Sequence, residues 1–109
     1  MRGLDDKLHC IYTVGVRFEW DEKKNAFNQR KHGVSFEEAQ TAFADEQALV
    51  IADPDHSADE DRFILLGVSA SRVLVVCHCY REIDEVVRIF SARPANRQER
   101  KAYTERWTR

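Results

Sequence analysis

Residues 62–80, RFILLGVSASRVLVVCHCY, decide the fold. Two runs rich in Val, Leu, Ile and aromatic residues, Arg62–Ser69 and Arg72–Tyr80, flank the dipeptide Ala70-Ser71. Two residues suffice for a hairpin loop, whereas a crossover to a parallel partner needs a dozen or more. The spacing therefore predicts an antiparallel pair. Alternation puts His78 on one face with Leu74 and Val76, with Tyr80 beyond, and Cys77 and Cys79 on the other. Moving outward, Val86–Ala92 (VVRIFSA) reads as a further strand, and Leu49-Val50-Ile51 as another, ended by the turn signal Asp53-Pro54-Asp55. Short connections throughout favour an antiparallel sheet.

Helical signals flank these strands. Asp21 is a plausible N-cap and Gly33 a C-terminal stop, with Lys24, Asn28 and Lys31 on one face between them. Phe27 and Ala26 are the apolar contributions, so this helix is expected to be thinly anchored. Ser35-Phe36-Glu37-Glu38 matches a capping box, and Phe36, Ala39 and Phe43 then share a face. After Pro94, Asn96 and Glu99 announce a last helix, with Ala95, Ala102, Tyr103 and Trp107 on one side and Arg97, Arg100 and Lys101 on the other. The expectation is an α+β fold: two N-terminal helices, an antiparallel sheet of about four to five strands and one C-terminal helix.

The 109 residues predict one domain over 16–109, preceded by an N-terminal extension, 1–15, and Ile11, Tyr12, Val14 and Val16, across that boundary, offer an edge strand. No apolar run approaches the ~20 residues of a bilayer span, and the start lacks a secretion signal, so the expected location is the cytoplasm, with no membrane role. Three cysteines, Cys10, Cys77 and Cys79, form no disulfide framework. Cys77 and Cys79 would face away from His78, so one zinc ion cannot hold all three, and neither a metal nor a cofactor is expected. The net charge of −2 argues against tight, indiscriminate nucleic-acid binding. Its distribution is more telling: residues 45–61 are acidic without Lys or Arg, whereas residues 88–109 are mainly basic. Such a chain can offer one basic surface to phosphate.

Several clusters follow in order: Phe18-Glu19-Trp20-Asp21, Lys24, Asn28 and Lys31-His32-Gly33; then Phe36, Ala39, Phe43 and Asp45; then Glu60 with Arg62, Gly67 and the Leu74–Val76 strand ending in Arg81; then Arg88-Ile89 and Ser91-Ala92-Arg93, with Glu99 and Tyr103 in the tail. Together they resemble the BrnT-type toxins. The chain departs from the pattern at Cys79 and Tyr80, and at Phe90, where an aliphatic residue is usual. The resemblance implies a RelE-like ribonuclease fold, RNA cleavage as the toxic activity, and a DNA-binding BrnA-type antitoxin as partner. It also implies a complex with two copies of each protein that reaches operator DNA through the antitoxin.

RNA cleavage without a metal uses the substrate's 2′-hydroxyl as nucleophile, so the protein must move protons and stabilise charge on the phosphate. Arg62, Arg81 and Arg93 lie at or near strand ends in mostly apolar segments. They either converge on one phosphate or pair with Glu60, Glu82 or Asp84. Glu60 is the candidate general base, with anchoring of Arg62 as its alternative. His32, closing the first helix, is a candidate acid that with Lys31 contacts phosphate; the alternative is a cap on the last carbonyls. His78 is a candidate acid–base group or a satisfied strand histidine. Arg88, which alternates with Val86 and Phe90, reads as structural or RNA-binding, and Ser91 and Arg97 complete the RNA-binding candidates. A function of another class remains open, a non-catalytic module that binds an antitoxin and tunes its DNA binding. A third, DNA or RNA binding through the last helix, is opposed by the net charge.

Overall fold

The computed structural model describes residues 16–53, 62–81 and 86–105. The extension 1–15 and the residues Glu60, Glu82, Asp84 and Trp107 lie outside them. In chain order come β1 (Arg17–Glu19), α1 (Glu22–His32), α2 (Phe36–Thr41) with a 3-10 turn (Ala42–Ala44), β2 (Leu49–Ala52), β3 (Phe63–Ser69), β4 (Arg72–Arg81), β5 (Val86–Pro94) and α3 (Arg97–Glu105). The five strands form one sheet in the order β1-β5-β4-β3-β2. β2 to β5 make the expected antiparallel meander, and the hairpin pairs Ser69 with Arg72 across Ala70-Ser71. At the far edge β1 joins β5 in parallel, so the sheet as a whole is mixed. The helices between β1 and the meander supply the long crossover that such a pairing requires.

The capping signals act locally, as read. The Asp21 carboxylate accepts from the N–H groups of Lys23 and Lys24 at 2.7 and 3.3 Å, and Gly33 ends α1 at φ +73°. Only a left-handed residue turns the chain this way, which is why glycine stands there. Ser35 Oγ accepts from Glu38 N, but the Glu38 side chain does not close the capping box. Its carboxylate instead holds Arg72 through two bonds of 2.8 and 3.1 Å, and a charged, two-pronged partner outcompetes a lone backbone N–H. Asn96 and Glu99 make the full reciprocal box at the start of α3.

α1 is anchored by amides, not by apolar side chains. Phe27 is 56% exposed, while Asn25 and Asn28 are buried. Asn28 Nδ2 donates to the carbonyls of Ala92 and Val34 at 2.7 and 2.8 Å, and Asn28 Oδ1 accepts from Ala92 N at 3.2 Å. The side chain thus pairs with both backbone groups of Ala92, as a neighbouring strand would. Asn25 Oδ1 accepts from Phe36 N, tying α1 to α2.

α2 and the 3-10 turn press Phe36, Ala39, Ala42 and Phe43 onto Leu65, Leu74, Val76, Val87, Ile89 and Ala92. Complete burial of Phe36 and Phe43 stabilises the fold by about 1.5–3 kcal/mol each. Gly67 permits this approach, since a Cβ there would lie 2.7 Å from the carbonyl oxygen of Ala42. On the other face of the sheet a smaller cluster, Leu66, Val75 and Ala95, lies under α3, where Tyr103 packs on it. The Tyr103 hydroxyl donates to the Asp45 carboxylate, which also accepts from Val68 N. Ala102 is exposed, so in the described part of α3 the expected apolar side is carried by Tyr103.

Candidate functional site

The face of the sheet turned away from α1 and α2 is covered by α3 at one end. At the other end it carries arginines. Glu19 of β1 pairs with Arg88 of β5, and Arg88 with Cys79 of β4. Arg62 precedes β3, where Phe63 pairs with His78, so the same antiparallel register sets Arg62 beside Cys79. Its carbonyl accepts from Asp53 N at 2.9 Å, which continues the ladder to β2. Glu19, Arg88, Cys79 and Arg62 therefore form one row across four strands. Arg62 and Arg88 are two strand spacings apart, about 10 Å between backbones, within joint reach of two long side chains.

Arg81 closes on the same row from one rung further along β4. Arg88 Nη1 and Arg81 Nη1 lie 3.0 and 3.2 Å from one atom, Glu19 Oε2. Two guanidinium groups thus share a single carboxylate oxygen. The Arg62 guanidinium carbon stands 4.1 Å over the Phe90 ring centroid, and Lys24 Nζ of α1 is 5.8 Å from it.

Phe90 owes its place to a bulge. Cys77 pairs with Ser91 and His78 with Ile89, so Phe90 is the extra residue of β5. In a regular strand, residues five apart point to opposite faces. The inserted residue restores parity, so Arg88 and Arg93 share one face. Ser91 is exposed on that face between them.

Arg93 is bound differently. It makes a two-pronged pair with Glu99 at 2.8 and 2.7 Å, tying β5 to α3. That contact raises the Arg93 pKa and lowers that of Glu99. Among the described residues, then, the carboxylates that meet Arg81 and Arg93 are Glu19 and Glu99, each distant in sequence or on another element, while Glu60, Glu82 and Asp84 lie outside the described residues.

His78, Lys31, His32 and Arg97 are not brought to the arginine row. His78 is fully buried on the helix-covered face, edge-on to Phe43 and close to Phe63 and Tyr80. Its Nδ1 lies 3.2 Å from Val76 O and its Nε2 3.2 Å from the Tyr80 hydroxyl, which assigns the proton to Nδ1. Burial pushes its pKa down to about 4, so the ring is neutral at pH 7. Lys31 and His32 end α1 near Arg72, which donates to Gly33 O. Arg72 and Cys79 stand seven positions apart along β4, roughly 23 Å. Arg97 is exposed at the start of α3, and Glu60 lies outside the described residues.

Cys77 donates to the buried Asp53 carboxylate at 3.7 Å, and burial, with Asp53 beside it, raises the thiol pKa to about 11. A thiol held so is not a nucleophile at neutral pH. Sequence reading missed Lys24 and Phe90 as members of the site, and it knew Glu19 only as part of a motif. The bulge and a pairing across 69 positions of chain carry no local signal.

The arrangement suits binding of a phosphodiester: cations drawn from β4, β5, the residue before β3 and one helix, around the Glu19 carboxylate of β1. A family model described as "Ribonuclease toxin, BrnT, of type II toxin-antitoxin system" matches residues 20–99. The chain belongs to this family. The match to BrnT runs from Trp20 to Glu99, and a type II system implies an antitoxin partner. No curated protein matches the chain at a significant level. Among the described residues, no helix is long and apolar enough to cross a membrane.

Proposed function

We propose that the chain is a metal-independent endoribonuclease that seats one RNA phosphodiester against Arg62, Arg81 and Arg88. The observation that carries this reading is the convergence of Arg81 and Arg88 on one Glu19 oxygen, in the row that Arg62 joins. A phosphate oxygen has the charge and the hydrogen-bonding geometry to take the place of that carboxylate oxygen. In the reaction the substrate's 2′-oxygen loses its proton and bonds to phosphorus. The bond from phosphorus to the 5′-oxygen breaks, and that oxygen takes a proton from solvent water, giving a 2′,3′-cyclic phosphate and a 5′-hydroxyl. The guanidinium groups stabilise the extra charge on the phosphorane, and they act strongly because they are fixed before substrate arrives. Glu60 is assigned the proton from the 2′-hydroxyl. Ser91 and Lys24 contact flanking phosphates. Arg93 and His78 enter this proposal as structural residues.

In the cell the activity would arrest growth until a BrnA-type antitoxin, in a 2:2 complex, covers the arginine face. Operator DNA is contacted through that partner, in the cytoplasm.

The test is cleavage of an end-labelled RNA by antitoxin-free protein in EDTA, with the product ends identified. The expected result is a cyclic phosphate, and its loss in Arg62→Ala and Arg81→Ala chains that remain folded. Intact RNA, together with normal growth of cells expressing folded protein, would mark the chain as a binding module instead.

A further inference from the structure

Phe90 is the residue that the site does not explain. Aromatic residues usually enter a sheet face to pack on neighbours, but this ring stands in a bulge with one cation 4.1 Å over it and a second 5.8 Å away. The two cations come from separate elements, the segment before β3 and the first turns of α1. In the strand register β4 lies between Arg62 and Phe90, with Cys77 and Cys79 on its arginine-bearing face. A long flexible side chain seated on an aromatic face is ordered before any ligand binds. An aliphatic residue in this place would have no negative ring face to offer a cation.

We propose that Phe90 is a positioning residue for RNA cleavage: its ring fixes the Arg62 guanidinium toward the phosphodiester and brings Lys24 to the same site. This rests on the ribonuclease reading above. Arg62 would act on the phosphorane, so displacing it lowers kcat. Lys24 would act on a flanking phosphate in substrate and transition state alike, so removing it raises KM.

The test compares Phe90→Leu, Phe90→Ile and Phe90→Tyr with the unchanged chain on a short RNA. Both aliphatic variants are expected to keep the melting temperature and KM while kcat falls about 10-fold, the cost of moving a cation without removing it. Phe90→Tyr retains the ring and is expected to recover most of that loss. Lys24→Met should raise KM and reduce the slope of log affinity against log salt by about one. A second readout needs no activity: proton resonances of the Arg62 side chain should be shifted upfield by the ring in the unchanged chain and in Phe90→Tyr, and not in Phe90→Leu. Wild-type kcat in both aliphatic variants, with Arg62→Ala inactive, would overturn the positioning role and leave the ribonuclease reading standing. Unfolding of both would overturn it too, by making the ring a core residue. Failure of the unchanged chain to cleave RNA would remove the ribonuclease reading and this inference together.

Discussion

The two faces of the sheet treat polar groups in opposite ways. On the helix-covered face Asn28 satisfies both backbone groups of Ala92, and His78 is bonded at both ring nitrogens. Among the described residues, no buried side-chain nitrogen or oxygen lacks a partner. On the other face Arg81 and Arg88 divide one carboxylate oxygen. The contrast even runs along a single strand: Arg93, five residues after Arg88 and on the same face, engages both oxygens of the Glu99 carboxylate, one of which also accepts from Asn96 N. A saturated polar group holds a structure together. Two cations on one oxygen keep attraction to spare for an incoming anion, and the bulge at Phe90 puts both kinds of arginine on one surface.

If this division is right, each substitution should strike stability or activity, not both. The largest effect is expected at Arg81 and Arg88. Alanine at either should lower kcat/KM for RNA by about 10²–10³-fold while leaving the denaturant midpoint nearly unchanged; parallel losses in both would break the comparison. Next comes His78, whose folded pKa of about 4 lies below its ordinary 6.5. Above pH 6.5 neither state is protonated and nothing is lost. Between pH 6.5 and 4 the unfolded chain takes up a proton that the folded one refuses, so stability falls by roughly 3 kcal/mol in all and then levels off. An imidazole NMR titration with its midpoint near the ordinary value would contradict the sealed environment. Asn28→Ala should cost about 2–3 kcal/mol in urea unfolding, because three backbone groups lose a buried partner, with activity per folded molecule unchanged. Smallest is Arg93→Ala, about 1 kcal/mol, since its half-exposed pair with Glu99 is weakened by solvent. A large loss of kcat there, with stability preserved, would move Arg93 from the structural set to the site.

What the sequence discloses is what neighbours in the chain decide. The caps at Asp21, Gly33, Ser35 and Asn96 and the two-residue hairpin are local, and the structure has them. The face of His78 followed from alternation with Leu74 and Val76. Hidden were the features that depend on chain segments meeting from afar. Asn25 and Asn28 look like the wet side of a helix until β5 and α2 present backbone groups to them. Glu38 looks like half of a capping box until Arg72, 34 positions later, claims it. At the site, Arg62 and Arg81 were conspicuous as charges at strand ends. Their neighbours Glu19, Lys24 and Phe90 were not, because a parallel edge strand and a bulge place them there.

The pairing of Glu19 with Arg88 spans 69 positions, and that has a consequence for synthesis. The first described strand must wait at the margin for the last one before the cluster exists. A nascent polypeptide that ends short of β5 carries the carboxylate and several of its cations but has no sheet on which to assemble them. RNA cleavage that depends on this cluster would therefore wait until β5 has been made.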